Sequence, residues 1–257
     1  MSEPRESNAA GEKIAKVIAR AGVCSRRDAE RLVAEGRVKL DGKVLESPAE
    51  RVRPGQIVLV DGKPIAEPEP SRLFRYHKPR GVLTAARDTD GRPTIYDTLP
   101  PSLPRLMPVG RLDINSEGLL LLTNDGELKR RLELPATGWI RRYKVRAFGE
   151  VTDEQLARLG KGITVEGVTY GPIEARLERV QGDNCWISMA LREGKNREVR
   201  RVLGHLGLDV SRLIRLTYGP FQLGSLGKRL VEEVPPKVLR EQLGGAIKKP
   251  VRERTRH

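Results

Sequence analysis

Residues 110–126, GRLDINSEGLLLLTNDG, place one carboxylate, Asp113, just ahead of the most apolar short run in a chain of formal net charge +14. An aspartate between Gly110 and Gly118 reads most simply as a turn residue. The run that follows changes the weighting. LLLLT has no polar alternation and predicts a strand buried on both faces, Asn124-Asp125-Gly126 ends it, and ELKRRLEL predicts a helix beyond. Asp113 then sits in a loop fixed to a rigid strand, a good mount for a reactive group. Burial beside phosphates would disfavour its charged form, so it requires an arginine partner to stay ionised.

The segment EGKNREVRRVLGHLG offers that partner. Val199, Val202, Leu203 and Leu206 make an apolar helix face over 197–206, with Asn196 placed to cap its start. Arg197, Arg201 and His205 repeat on the opposite face, and Arg200 falls at the edge of the apolar stripe, where a guanidinium can pack and still reach a cleft. Between 192 and 215 lie Arg192, Lys195, Arg197, Arg200, Arg201, Arg212 and Arg215 against Glu193, Glu198 and Asp209. That density suits a phosphate backbone, although plain surface charge fits Arg197 and Arg201 about as well.

The whole chain agrees with an anionic partner. It has 257 residues, 48 Lys+Arg against 34 Asp+Glu, and 32% charged residues with 38% hydrophobic ones. This is the composition of a folded protein drawn to a polyanion. Aromatics are scarce at 4%, so base stacking would rest on few residues. No long basic amphipathic helix supports a membrane surface, MSEPRESNAAGEK lacks a signal-peptide core, and Leu119–Leu122 is too short to span a bilayer. Cys24 and Cys185 are far apart, and His77, His205 and His257 form no ligand-spaced cluster. A cytoplasmic, metal-free protein is expected.

The elements that position these residues begin after a loose tail over 1–11. EKIAKVIARAG carries Ile14, Val17, Ile18 and Ala21 at helical spacing up to Gly22. In CSRRDAERLVAEGR, Ser25 is placed as N-cap, Asp28 stands at the capping-box offset, and Gly36 stops the helix. RVKLDGKVL and IVLVDGKPI then turn around Asp41-Gly42 and Asp61-Gly62. This unit, 12–65, resembles the S4 RNA-binding domain, which implies that the second helix and following strand face RNA. Arg26, Arg27, Arg31 and Lys39 are the phosphate contacts so implied, in preference to a merely solvated face. A Pro-rich linker follows over 66–71.

Residues 72–242 mix strand-like runs (119–123, 143–148, 185–191) with helical ones (127–134, 152–159, 197–206) without strict alternation. An α+β fold with a mixed, largely antiparallel sheet is expected. The basic end, 243–257, has no apolar periodicity and is expected to be disordered.

VGRLDINSEGLLLLTNDGEL, with YHKPRGVLTAARD, RRYKV, EGKNREVRRVLGHLG and SRLIRLTYG in that order, resembles the RNA pseudouridine synthases, in the ribosomal RNA branch that carries an N-terminal S4 domain. NREVRR and RLIRLTYG are nearer its large-subunit subgroup. The resemblance covers about 12–240. It implies Asp113 as the essential aspartate, Tyr143 as the active-site tyrosine against the target base, and Arg200 as the arginine paired with the aspartate. Lys78 and Gly81 fall in the first family motif. Lys78, Arg111, Lys195, Arg197 and Arg201 are expected to contact RNA. The implied activity is isomerisation of a flipped uridine to pseudouridine in ribosomal RNA, without cofactor or metal, by a monomer. A non-catalytic S4 ribosome assembly factor is the alternative, but it leaves Asp113, Tyr143 and Arg200 without joint purpose. A metal-dependent nuclease would need clustered carboxylates, whereas Asp88, Asp90, Asp113 and Asp125 stand in unlike contexts.

Overall fold

The computed structural model of the chain describes residues 11–86, 88–134 and 137–244. Apart from Gly11, Leu243 and Gly244, both expected tails lie outside those residues. The described chain divides into two compact units between Ser71 and Arg72.

The first unit runs β1 (Glu12–Lys13), α1 (Ile14–Arg20), α2 (Arg26–Ala34), β2 (Val38–Leu40), β3 (Lys43–Val44), β4 (Arg51–Val52), β5 (Val58–Val60) and β6 (Lys63–Pro64). Glu12 and Lys13 are extended and pair with β4, so the first helix starts at Ile14, whose N–H goes to the Glu50 carbonyl at 2.9 Å. Ser25 Oγ accepts from the Asp28 N–H at 3.1 Å and caps α2. Strands β3-β2-β5-β6 form an antiparallel sheet. Its tight turns have φ of 49° and 85° at Asp41-Gly42 and 51° and 78° at Asp61-Gly62, both left-handed as a two-residue hairpin turn demands. Ile14, Ile18, Leu32, Val33, Val38 and Val58 close a core of its own.

The second unit runs β7 (Leu73–Lys78), β8 (Met107–Val109), β9 (Glu117–Thr123), α3 (Gly126–Glu133), β10 (Arg141–Phe148), α4 (Asp153–Arg158), β11 (Ile163–Val165), β12 (Val168–Tyr170), β13 (Ile173–Gln181), β14 (Asn184–Leu191), α5 (Glu198–His205), β15 (Asp209–Tyr218), β16 (Phe221–Gln222), β17 (Val231–Glu233) and α6 (Pro236–Leu243). Nine of these strands share a sheet of order β13-β14-β10-β15-β9-β7-β17, with β16 on β15 and β8 on β9. Only β9 and β15 run parallel, so the sheet is mixed and largely antiparallel. All seven residues of β9 are buried. Leu119 and Leu121 enter a core with Val109, Tyr218 and Leu239, while Leu120 and Leu122 enter another with Phe74, Tyr76 and Ile95. Each such leucine contributes roughly 1.5–3 kcal/mol of apolar burial, which anchors β9 in both cores.

Candidate active site

Three neighbouring strands build the site. Tyr143 on β10 lies across from Arg215 on β15 and from Met189 on β14. The β10–β15 register slips between Arg142, opposite Thr217, and Tyr143, opposite Arg215. Leu216 is the extra residue of this bulge and stays outside, 37% exposed, so Arg215 and Tyr218 are both buried three residues apart. A regular strand would turn them to opposite faces; a bulge re-aims one of them. The Arg215 guanidinium then lies 5.2 Å from the centre of the Tyr218 ring.

On its other side Arg215 faces Gly118 of β9. Gly118 has φ of 108°, and a β-carbon there would overlap the Arg215 backbone, 2.6 Å from its nitrogen and closer still to its carbonyl oxygen. Glycine is the residue that lets β9 and β15 meet. Their meeting fixes the loop before β9, and with it Asp113.

That loop is clamped from beneath. Lys78, fully buried at the end of β7, donates from Nζ to the carbonyls of Pro79 (3.1 Å), Asp113 (3.1 Å) and Ser116 (2.9 Å). Burial pushes its ammonium down to about 8, against the opposing pull of Asp113. On sequence alone Lys78 is expected against RNA. Its side chain is instead enclosed, with two of its donors spent on the loop and the third on the neighbouring Pro79 carbonyl.

Arg200 also differs from expectation. Nη1 donates to the Val210 carbonyl at 2.7 Å and Nη2 to the Asn115 carbonyl at 3.0 Å. Among the described residues, the cation within ion-pair distance of the Asp113 carboxylate is Arg197, with Nη1 3.9 Å away. Asp113 still acts on Arg200 electrostatically, although burial and the Arg197 charge together lower the affinity of Arg200 for its proton. Arg200 therefore holds the backbone two residues beyond Asp113 rather than the carboxylate itself. Nor is that carboxylate buried, with 32% of the Asp113 side chain exposed.

The placement of Arg197 follows from the start of α5. Asn196 does not cap the helix. Arg197 does so with a left-handed backbone, φ 51°, and no side-chain bond. Non-glycine residues adopt that conformation at a cost, so the surrounding structure must hold Arg197 in it. Glu198, itself buried, reaches back with Oε2 to the Lys195 N–H at 2.9 Å and so secures the loop 195–197. Burial raises the pKa of its carboxyl group.

Asp113, Tyr143, Arg197 and Arg215 line a common cavity of about 860 Å³, together with Arg111 and Lys195. Tyr143 is 8% exposed and forms part of the wall. Arg111, Lys195 and Arg197 are exposed. Lys195 Nζ pairs with Glu193 and donates to the Thr169 carbonyl at 2.8 Å. Arg201 is exposed on α5 and Arg200 is not among the cavity residues. In the first unit Arg26, Arg27 and Lys39 are exposed, while Arg31 is exposed but engaged with Asp28 (3.2 Å) and Glu35 (3.7 Å). Among the cavity cations, sequence pattern alone misses Arg141 and misplaces Arg215. Arg141 shares the face of Tyr143 by strand alternation and donates to the Arg192 carbonyl at 2.6 Å. Arg215 belongs by sequence to a phosphate surface, yet it is 3% exposed. The alternation of LIRLTYG is the signal for burial, hidden by the bulge at Leu216.

A small α+β domain followed by a mixed-sheet domain, with a clamped aspartate over a basic cavity, defines a nucleic-acid-directed class of enzyme. The RNA pseudouridylate synthase family matches residues 72–205, and the S4 domain family matches 12–58. An RNA pseudouridine synthase of Rickettsia felis, itself uncharacterized, is 42% identical over 228 residues, spanning 89% of this chain and 99% of that protein. Ribosomal large subunit pseudouridine synthase B of Haemophilus influenzae is 44% identical over 225 residues, spanning 85% of this chain and 63% of that one. A crystal structure of a pseudouridylate synthase superposes with a TM-score of 0.62 at 25% identity, over 90% of this chain and 99% of the other. The chain belongs to the RNA pseudouridylate synthase family and carries an S4 domain ahead of its synthase domain.

Proposed function

We propose that this protein converts a uridine of large-subunit ribosomal RNA to pseudouridine, acting as a cytoplasmic monomer with Asp113 as its catalytic residue. The observation that carries this reading is the position of Asp113. Its carboxylate is one-third exposed over a cavity of about 860 Å³, within the roughly 300–1,000 Å³ of small-ligand sites. A stacked, paired base hides its glycosidic bond, so the uridine must flip into that cavity. There the C1′–N1 bond breaks and a C1′–C5 bond forms, while C5 loses a proton and N1 gains one. No electron enters or leaves. Asp113 faces the electron-poor centre, Tyr143 forms the wall against the base, and Lys78 and Arg200 keep the loop in place through its carbonyls. Arg111, Lys195, Arg197 and Arg201 supply an exposed positive rim for phosphates, and Arg26, Arg27, Arg31 and Lys39 a second contact in the S4 unit. The names of the Haemophilus relative and its counterparts support the large subunit as the source of the RNA. A non-catalytic assembly factor leaves the clamped aspartate and its cavity without purpose.

Asp113→Asn tests the assignment, because the two side chains are nearly equal in size. The variant is expected to bind ribosomal RNA as the wild type does and to release no tritium from a transcript labelled at uridine C5. Turnover within about tenfold of wild type removes Asp113 from the mechanism. Mapping pseudouridines in ribosomal RNA from cells with and without the protein identifies the target.

A further inference from the structure

Arg215 is, among the described residues, the one cavity guanidinium that is almost fully enclosed, 3% exposed against 46% for the side chain of Arg197. Among the described residues no carboxylate lies within 4.0 Å of it. Its Nε donates to the Leu119 carbonyl at 2.7 Å, Nη1 makes a long 3.4 Å contact with the Arg111 carbonyl, and buried Nη2 has no partner. A guanidinium carries five N–H donors. Leaving buried donors unspent is costly, and Arg215 is among the residues lining the cavity that Tyr143 also lines. A flipped nucleotide brings its phosphates no further than the exposed rim, since they stay with the RNA backbone. The base alone reaches the floor.

We infer that Arg215 reads the uracil ring, donating from its Nη edge to the carbonyl farthest from the sugar. This rests on the synthase reading and names a residue for base selection. In uridine the distal carbonyl is O4. Cytosine carries an amino group there, which would set donor against donor. Half a turn of the detached ring about its N3–C6 axis exchanges N1 with C5 and O4 with O2. After isomerisation the distal carbonyl is O2, another acceptor, and Arg215 keeps its bond. The same donor thus holds substrate and product and rejects cytidine.

The test uses the full chain and free nucleotides followed by saturation-transfer NMR. Wild type is expected to bind uridine 5′-monophosphate roughly tenfold more tightly than cytidine 5′-monophosphate, as a charged hydrogen bond implies. Arg215→Met, which keeps length and removes every donor, is expected to reduce that preference below about twofold. A preference unchanged in a folded Arg215→Met protein overturns the inference. So does a wild type that binds no uridine monophosphate or shows no preference. Pseudouridine 5′-monophosphate needs no variant: it is expected to bind wild type within about threefold of uridine monophosphate, and affinity as weak as that of the cytidine nucleotide is a second contrary result. Tritium release by the same wild-type preparation judges the synthase reading separately.

Discussion

At the scale of single residues, the site divides its cations by what they hold. Lys78 and Arg200 hold backbone carbonyls around Asp113, Arg197 faces the carboxylate, and Arg215 keeps donors in reserve. Lys78 gives a pH prediction. Its folded pKa is lowered to about 8 from the usual 10.5, chiefly by burial. Below pH 8 both folded and unfolded chains hold the proton and the burial penalty is fully present. Between 8 and 10.5 the unfolded chain binds more protons, so this group's contribution to stability rises with pH. Activity goes the other way. A neutral amine has two N–H donors for three carbonyls, and one carbonyl of the clamp is released. The single-turnover rate is expected to fall above pH 8 with no matching loss of melting temperature. In Lys78→Met the rate is expected to be low, by about 10²-fold as for a misplaced reactive group, and flat across pH 8. A wild-type decline that persists in that variant assigns it elsewhere. Arg200→Ala strands the Val210 and Asn115 carbonyls and is expected to cost about 1–3 kcal/mol along with most of the rate. Arg197→Ala is expected to spare stability. Equal melting temperatures for the two variants contradict the division.

At the scale of elements, the meeting of β9 and β15 decides whether Asp113 and Arg215 share a cavity. Gly118→Ala drives a β-carbon into the Arg215 backbone at φ 108° and is expected to cost about 2–4 kcal/mol through strain and overpacking. Its activity loss should exceed its loss of folded protein. Gly110→Ala is the control. It also has a positive φ, 66°, but nothing lies within 4 Å of the added carbon, so a cost near 1 kcal/mol is expected. Comparable denaturation midpoints for the two would mean the strands can part freely. The same junction separates what is legible in sequence from what is not. β9 can be read because LLLLT is apolar without a break, and the clusters on its two faces are the reason. Asp113 can be read because it precedes that strand. The burial of Lys78 cannot, since its acceptors Asp113 and Ser116 are distant in sequence. The inward turn of Arg215 depends on one bulged residue, and the placement of Arg197 on a left-handed cap secured by Glu198. The first two are set by tertiary contacts, and the third by a backbone conformation and a short-range hydrogen bond that residue pattern does not reveal.

At the scale of the whole molecule, the two units have separate apolar cores, one built from residues of 12–65 and the others from residues of 72–243. A chain cut before Arg72 keeps Asp113, Tyr143, Arg200 and every residue of the cavity. It is expected to fold, because the cut passes outside either core. What it gives up is charge suited to phosphate: Arg26, Arg27 and Lys39 are exposed, whereas Arg31 is partly committed to Asp28 and Glu35. Each phosphate left without its cation lowers the slope of log affinity against log salt by about 0.7–0.9. A decrease of about two to three is therefore expected, with Arg31 adding less than a full phosphate's share. At saturating RNA the turnover should stay near that of the full chain, since affinity and chemistry then belong to different units. Filter binding over a salt series and tritium release at saturation measure the two quantities on one preparation. If the slope is unchanged, the S4 unit does not touch phosphate. If turnover at saturation collapses while circular dichroism shows a folded domain, the first unit helps to order the active site and is more than an anchor.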